Sequence, residues 1–528
     1  MDTKLGKAIG IDLGTTTTIV SYTGKKSGKL KQLKYDGEKL IPSVLYFRTE
    51  SDYDIGETAL MEMGIHPLAG VANFKSHLRE VEHRYEVTAE NGDHFYLKPR
   101  RAAELFLKKI LKGMEETLIK EFGNMGGTIE RVIITVPAKF SLTAKSMVKR
   151  AARDAGLDVK LTKEPTAAAI DYLHSYTEFD KTGSAILVYD FGGGTFDVSV
   201  VQRQKDSFEE IATGANNSLG GNLLTERIVA DLIARIEERY AVTFPESLED
   251  AEDLEDEKRI EYQKNMAEIR RKANIMKEKL SDESEVEQDL QLTFGGEPKI
   301  FEAFLSLEDF EEMIRPDIDR TVDIVQSTLE RAAEKGVDRI DAVVLAGGSS
   351  NVPLARKALK EKLPYLEIDP ATNASFLISR GAALLAEEAE KLEHIGLITN
   401  TQIGTQAKDG AVFNKFQILI PEDTQLPTTG TKTFFLDHDG QRECKIRYYE
   451  YDVDNHPGMT RTDQDGMDQL GLLTVELPPD LKKNDTEIEV RFDLDASGSM
   501  EITAVAKNRA GDVIGEKSLT IKRESDWE

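Results

Sequence analysis

The stretch Ala185-Ile186-Leu187-Val188-Tyr189-Asp190-Phe191-Gly192-Gly193-Gly194-Thr195-Phe196-Asp197-Val198 carries the reading of this chain. The apolar run from Ala185 to Tyr189 predicts a buried strand, and Val198 to Val201 predicts a partner strand returning beside it. Between them stand an aspartate, three glycines and a threonine. Glycines let backbone N–H groups close on phosphate oxygens. A threonine hydroxyl adds a donor, and an aspartate at the turn suits a hydrated Mg²⁺, which keeps several waters and needs few protein ligands. A single turn of this composition is also what an ordinary hairpin would have. The chain has a second one: Lys7–Ile11 and Thr18–Tyr22 predict strands around Asp12-Leu13-Gly14-Thr15-Thr16. Two such turns facing each other would grip a polyphosphate from both sides.

A third glycine element is Val343-Val344-Leu345-Ala346-Gly347-Gly348-Ser349-Ser350. It predicts a buried strand, a Gly-Gly-Ser turn and a helix from about Pro353. Taken alone it is equally a tight structural turn. Close backbone approach at Gly347 and Gly348 suits a flat base or a ribose, and the helix N-terminus suits anionic groups. Neither G-x-x-x-x-G-K-[ST] nor a helix-opening G-x-G-x-x-G occurs, so the two common nucleotide motifs do not apply.

Working outward, Arg131 to Val136 predicts a buried strand stopped by Pro137. A helix follows from about Ser141, with Met147, Val148, Ala151, Ala152 and Ala155 at helical spacing and Gly156 as its stop. Residues 246–257 are densely acidic and read as a solvated face or loop. The next helix carries a stripe at Tyr262, Met266, Ile269, Ala273, Met276 and Leu280, a seam for packing within the chain. Residues 386–396 predict a charged helical tail. Beyond about 400 the pattern changes. Ile488, Val490, Phe492 and Leu494 alternate with polar residues, as do Met500, Ile502, Ala504 and Ala506 after the turn at Asp495–Gly498, a hairpin with one buried face. The organisation read is therefore residues 1–385, a linker over 386–400, and an antiparallel β domain over 401–528. An Asp-rich loop (Asp452, Asp454, Asp463, Asp465, Asp468) invites a calcium reading, but no segment fits the twelve-residue calcium loop.

Composition sets bounds. At 528 residues the chain has room for roughly three to four domains. It is 40% hydrophobic and 31% charged, enough for a large core. A net charge of −27 repels phosphate backbones, so no nucleic-acid surface is expected. The single cysteine, Cys444, excludes an internal disulfide and a cysteine-based zinc site. No signal-peptide pattern and no 18-residue apolar run occur, so the expected compartment is the cytoplasm, with no membrane partner.

With these segments in view, the sequence resembles the 70-kDa heat-shock (DnaK-type) chaperone family over almost its whole length. The carriers are Gly10-Ile11-Asp12-Leu13-Gly14-Thr15-Thr16, Glu164-Pro165-Thr166-Ala167-Ala168-Ala169, Asp190 to Val198, and Val343 to Ser349, four motifs in order. The C-terminal matches are Leu419 to Thr424 and Ile488 to Gly498. The resemblance implies an α/β actin-like ATPase domain of two lobes, each on a duplicated RNase H-like core, then a β-sandwich substrate domain. It implies ATP or ADP with Mg²⁺ in the cleft. Carried over by position, Gly14, Thr15, Thr16, Thr17, Gly192, Gly193, Gly194 and Thr195 would hold phosphates. Lys277, Ser281, Gly347, Gly348 and Ser349 would hold the adenosine. Asp12 and Asp190 would hold the metal, largely through water. Lys75, Glu164, Asp190, Thr195 and Asp197 would form the catalytic group, with Lys75 positioning the attacking water. Pro137 and Lys145 would relay nucleotide state. Implied partners are extended apolar polypeptides, a J-domain co-chaperone and a nucleotide exchange factor.

Departures from the family pattern shape further expectations. The family's helical lid would follow the β domain, and this chain ends at Glu528, which predicts fast peptide exchange and weak trapping. The linker stretch Glu393 to Asn400 is less apolar than the family's, which predicts looser coupling between domains. Asn222-Leu223-Leu224-Thr225 follows Leu219-Gly220-Gly221 where the family has acidic residues. Lys145 replaces the usual relay arginine and cannot reproduce its bidentate contact. Asn274, Glu278 and Asn351 differ on the adenosine side. The alternative reading is a nucleotide-dependent scaffold that docks one dedicated partner. A small-molecule kinase or filament former of the same fold has no use for the β region after residue 400.

Overall fold

The computed structural model describes residues 8–24, 28–80, 82–123, 129–176, 181–205, 208–245, 256–369, 376–387, 398–399, 401–409, 412–453, 456, 458–464, 466–495 and 500–521. Most of the acidic run 246–257, the charged tail and most of the linker, Asp454, Asp465 and the hairpin turn 496–498 lie outside them.

Two sheets organise the first part of the chain. In the first, Ala8–Leu13 forms a hairpin with Thr17–Thr23 and pairs in parallel with Arg131–Val136, which pairs in parallel with Val159–Lys163. In the second, Ala185–Phe191 forms a hairpin with Phe196–Arg203, which continues to Phe208–Asn216, and pairs in parallel with Ala342–Ala346. The two sheets thus repeat one plan: a hairpin whose first strand has a parallel neighbour on its other edge. All of Ala8–Leu13 and all of Ala185–Phe191 are buried, as expected of strands covered on both faces.

Each sheet has its own apolar core. The first buries Ile9, Ile11, Val20, Phe74, Phe106, Ile134 and Val148. The second buries Leu187, Tyr189, Phe196, Leu224, Ile318 and Leu345, and it takes in Met266, Ile269, Ala273, Met276 and Leu280. The apolar stripe of helix Asp256–Lys279 is therefore an internal seam. Ser141 caps helix Leu142–Asp154 by accepting from Ala144 N. Helix Leu377–Glu387 is the last described element of this part of the chain. Among the described residues no helix is long and apolar enough to cross a membrane.

The C-terminal region is two four-stranded antiparallel sheets. One has the order Val412–Ile420, Gln402–Asp409, Glu443–Tyr451, Met467–Glu476; the other has Thr428–Phe435, Thr486–Leu494, Met500–Asn508, Val513–Ile521. Residues from both sheets, among them Ile446, Leu473, Val475, Phe492 and Ile502, share one core. Ile488, Val490, Phe492, Leu494, Met500, Ile502, Ala504 and Ala506 are all buried, and the intervening residues are not. The alternating pattern is the sheet's two faces.

This β region rests on the first part of the chain through the loop Pro421–Gln425. Lys139 Nζ is 3.1 Å from Glu422 Oε2, and Arg331 Nε is 3.0 Å from Asp423 Oδ2. Thr213 Oγ1 donates to Asp423 Oδ1 at 3.2 Å, and Lys335 Nζ to the Asp423 carbonyl at 2.7 Å. Lys163 is ion-paired with Glu210 and donates to the Ile398 carbonyl at 3.1 Å.

Candidate functional site

The two Asp-Gly-Thr turns and the Gly-Gly-Ser turn converge on one cavity of about 580 Å³. Its walls contain Asp12, Gly14, Thr15, Thr16, Thr17, Lys75, Glu164, Asp190, Gly192, Gly193, Gly194, Thr195, Lys277, Ser281, Gly347, Gly348 and Ser349. Every residue expected to contact nucleotide or metal is in this set. Asp197 is buried beside it rather than in its wall. Pro137 lines an adjoining chamber, and Lys145 lies on helix Leu142–Asp154, in the wall of neither. Leu40, Asp282 and Ile378 also line the cavity; nothing in their local sequence marks them. A cleft of about 620 Å³ adjoins it at Asn351 and Val352, lined also by Arg356, Lys357 and Lys360, but it has no carboxylate cluster and no glycine turn.

Strand register explains how the acidic groups meet. Asp12, next to the end of the first strand, pairs with Thr135, whose hydroxyl donates to Asp12 Oδ1 at 3.2 Å. Asp190 and Asp197 face each other across the second hairpin. Asp197 Oδ1 also accepts from Ala138 N at 2.7 Å, which joins the end of the first sheet to the second. Glu164 opens helix Glu164–Ser175, where a carboxylate is favoured by the helix dipole. Asn73 has φ 57°, and the turn it makes brings Lys75 Nζ to 2.5 Å from Glu164 Oε1. The Lys75 ammonium also lies 5.9 Å from the Phe140 ring centroid.

The electrostatics follow from one ammonium among four carboxyls, all buried. Burial, then Glu164, push Asp12 up to about 7, against the opposing pull of Lys75 and the Thr135 bond. Burial and Glu164 likewise push Asp197 up to about 7. Burial, with Glu164, Asp197 and Asp12, holds Asp190 well above the usual carboxylate range. Burial alone would lower Lys75, but Glu164, Asp12 and Asp197 outweigh it and hold the ammonium above its ordinary value. Excess buried negative charge of this kind is what a divalent cation relieves. Asp190 Oδ2 is buried with no hydrogen-bond partner, an oxygen left for such a cation or for one of its waters. The residues present therefore fit a hydrated Mg²⁺ at Asp12 and Asp190.

The glycines fit a polyphosphate. Gly192 N donates to Thr195 O at 3.0 Å to close the turn, and Asn222 N donates to Gly193 O at 2.7 Å to brace it from behind. A Cβ on Gly193 would strike the Thr16 hydroxyl of the opposite turn, so only glycine lets the two turns approach. Gly347 has φ 77°, and a Cβ there would meet Asp190 Oδ1 and the Phe191 carbonyl. Ser349 Oγ donates to Gly192 O at 2.9 Å, tying the third glycine element to the second. At the other end, Lys277 Nζ donates to Gly221 O, Thr225 Oγ1 and Asn274 Oδ1 at 3.1, 2.9 and 2.7 Å. Burial lowers this amine to about 8.

Sequence comparison agrees with this geometry. The family model described as Hsp70 protein matches residues 8–526. Chaperone protein DnaK of Thermotoga neapolitana is 29% identical over 511 residues, 94% of this chain and 78% of that protein. DnaK of Thermotoga maritima is 28% identical with the same coverage. DnaK of Thermosipho melanesiensis is 28% identical over 517 residues, 96% of this chain and 79% of its own length. The match runs through both glycine hairpins, the third glycine turn and the C-terminal sheets alike, and the chain belongs to the Hsp70 family.

Proposed function

We propose that this chain is an ATP-dependent molecular chaperone. Its first part, read as a two-lobed actin-like domain with duplicated cores, binds and hydrolyses ATP, and its β region holds extended apolar polypeptide. The repeated strand plan of the two sheets supports the duplicated-core reading. The observation that carries the function is the meeting of Asp12, Asp190, Lys75 and Glu164 with both glycine-threonine turns in one cavity.

In this reading Thr15, Thr16 and Thr195, with the backbone N–H groups around Gly14 and Gly193, bind the phosphate oxygens. Lys75 orients water for in-line attack on the γ-phosphorus and offsets charge on the γ-oxygens. Glu164 and Asp197 fix the ammonium by their charge, so catalysis is mostly positioning and electrostatics. Mg²⁺, when bound at Asp12 and Asp190, supplies neutralisation of charge on the phosphate oxygens. Bond formation between water and phosphorus is matched by cleavage to the bridging oxygen, which leaves with ADP. Lys277, Ser281 and Ser349 hold the nucleoside end.

The β region completes the cycle. Its sheets expose Ile418, Phe435 and Leu472, apolar side chains available to an extended apolar segment. Lys163 and Glu164 are adjacent, one bonded toward the β region and the other facing the phosphate pocket. That adjacency supports a route by which nucleotide alters peptide affinity. A J-domain protein and an exchange factor are the expected partners. Single-turnover ATP hydrolysis with and without an apolar peptide, beside Lys75→Ala, tests the reading. Stimulation by peptide with a dead variant supports it; hydrolysis indifferent to peptide overturns the coupled cycle.

A further inference from the structure

Outside the cleft, one side-chain cluster has the chemistry of a soft-to-borderline metal site. His77, Glu80 and His83 lie on the loop after Lys75. Each offers one ligand atom, and the three atoms lie within 4.8 Å of one another. Glu80 Oε2 is 2.9 Å from His77 Nδ1 and 3.5 Å from His83 Nδ1. Ligands bound at about 2.0–2.1 Å around a tetrahedral zinc ion sit roughly 3.3 Å apart. The two Glu80 separations bracket that value, and the two imidazoles, within 4.8 Å of each other, have only to turn to meet it. Two imidazoles and one carboxylate select a zinc-class cation over Mg²⁺ or Ca²⁺, which prefer all-oxygen sites. Glu80 Oε2, now bridging the two imidazoles, is the carboxylate oxygen placed to share a metal with them, while Oε1 faces Arg79 Nε at 4.0 Å.

The neighbouring contacts favour ligand binding over a purely structural role. The two imidazoles stack with centroids 4.0 Å apart, and Tyr85 sets its edge against both. His83 Nε2 and the Tyr85 hydroxyl are buried with no hydrogen-bond partner. Among the described residues, Glu80 and ring packing are what specify histidine at 83. Because an imidazole lone pair lies in its ring plane, both rings must turn out of their stack to aim at one cation. Both are partly open to solvent, 33% and 29% exposed, so they have room to do so. His77 and Glu80 also line a chamber of about 200 Å³ shared with Asp452, His456 and Asp468 of the β region.

We infer that His77, Glu80 and His83 form a binding site for a zinc-class divalent cation, beside the catalytic lysine loop and at the seam with the β region. The site is separate from the Mg²⁺ position at Asp12 and Asp190 and does not depend on ATP hydrolysis.

The test is titration of the metal-stripped full chain with Zn²⁺ and with Co²⁺ in excess Mg²⁺, which occupies oxygen-only sites. One equivalent of Zn²⁺ should bind. The Co²⁺ form should show visible bands of imidazole coordination. His77→Gln and His83→Gln should each weaken binding by at least about tenfold, since even outer contacts of a metal site cost 10–100-fold. Asp12→Asn should leave the Zn²⁺ affinity unchanged. Glu80→Gln serves as a third variant if either histidine variant misfolds. Unchanged zinc affinity in the histidine variants, a stoichiometry well below one, or loss of binding only in Asp12→Asn would each overturn the assignment.

Discussion

Lys75 Nζ lies 2.5 Å from Glu164 Oε1, and the two side chains are 4% and 8% exposed. The pair joins a loop of the first sheet's domain to the helix that begins where Lys163 ends. Three further buried carboxyls, at Asp12, Asp190 and Asp197, add their charge to the same space. The surrounding carboxyls thus hold the Lys75 ammonium above its ordinary range despite its burial. Replacing it with alanine removes the group proposed to face the γ-phosphate and leaves the carboxyls uncompensated. Single-turnover hydrolysis by Lys75→Ala should fall about 10²–10³-fold, the usual cost of deleting one preorganised electrostatic contact. The apo form should melt lower than the parent, and added Mg²⁺ should recover part of the loss. A variant that hydrolyses ATP at the parental rate would remove Lys75 from the mechanism.

Gly193 tests the cradle independently of charge. Its missing side chain is what lets the Thr16 hydroxyl approach, and Asn222 N holds its carbonyl so the turn cannot slide aside. Gly193→Ala should weaken Mg²⁺–ADP binding about 10- to 100-fold, which corresponds to the 1–3 kcal/mol of an overpacked contact. Isothermal titration reads this directly. A far-ultraviolet spectrum that matches the parent's would separate a lost ligand site from a lost fold.

The parts of this architecture that were legible in the sequence share a physical reason. The glycine turns, the buried strands and the C-terminal hairpin are local patterns, in which spacing alone places a residue on a face. Phe492 and Ile502 could be assigned to the core because alternation in a strand fixes the buried face. Lys75 was legible only through the family match, since a lysine on a short loop looks like any surface lysine. The same holds more strongly for Lys139, Lys163 and Arg331. Each is a cation in an unremarkable local context, and each acquires its partner from a segment far away in sequence. His77, Glu80 and His83 carry no sequence signal, because their spacing fits no standard metal pattern and only the turns of the loop bring their ligand atoms together.

Lys277 yields a pH prediction. Its amine is buried, and burial lowers it from 10.5 to about 8 in the folded chain. Between these values the unfolded chain holds a proton that the folded chain has released. Stability without nucleotide should therefore rise as pH increases from about 8 to about 10.5, by about 3 kcal/mol at the most. Below pH 8 both states are protonated, and the full cost of burying the charge is present. Lys277→Met should remove this slope and stabilise the apo chain at neutral pH, while it weakens nucleotide binding. Urea unfolding at several pH values measures the slope. A parent chain whose stability falls steadily across that window would contradict the assignment.

Asp423 has φ 54°, a left-handed conformation that aspartate tolerates, and it presents both carboxylate oxygens to the second sheet's domain. Oδ2 accepts from Arg331 Nε, Oδ1 accepts from Thr213 Oγ1, and the Asp423 carbonyl accepts from Lys335 Nζ. Arg331 also donates to the Thr213 carbonyl, so the arginine braces the strand and the loop together. The Asp423 side chain is 6% exposed and that of Arg331 is 23% exposed, so solvent screens the pair only partly. Removing either partner takes one charge-assisted bond from a site that solvent reaches only in part. Arg331→Ala and Asp423→Ala should each loosen the docked arrangement, and the double variant should cost less than the two single losses combined. A coupling energy of about 0.5–3 kcal/mol is the range for contacting residues in one network. The readout is a double-mutant cycle on the nucleotide-dependent change in peptide affinity, with fluorescence transfer between the two regions as a second observable. If docking transmits nucleotide state, both single variants should bind nucleotide normally yet lose most of the peptide response. Additive losses, or a full peptide response in Arg331→Ala, would mean that the seam holds the regions together without carrying the signal.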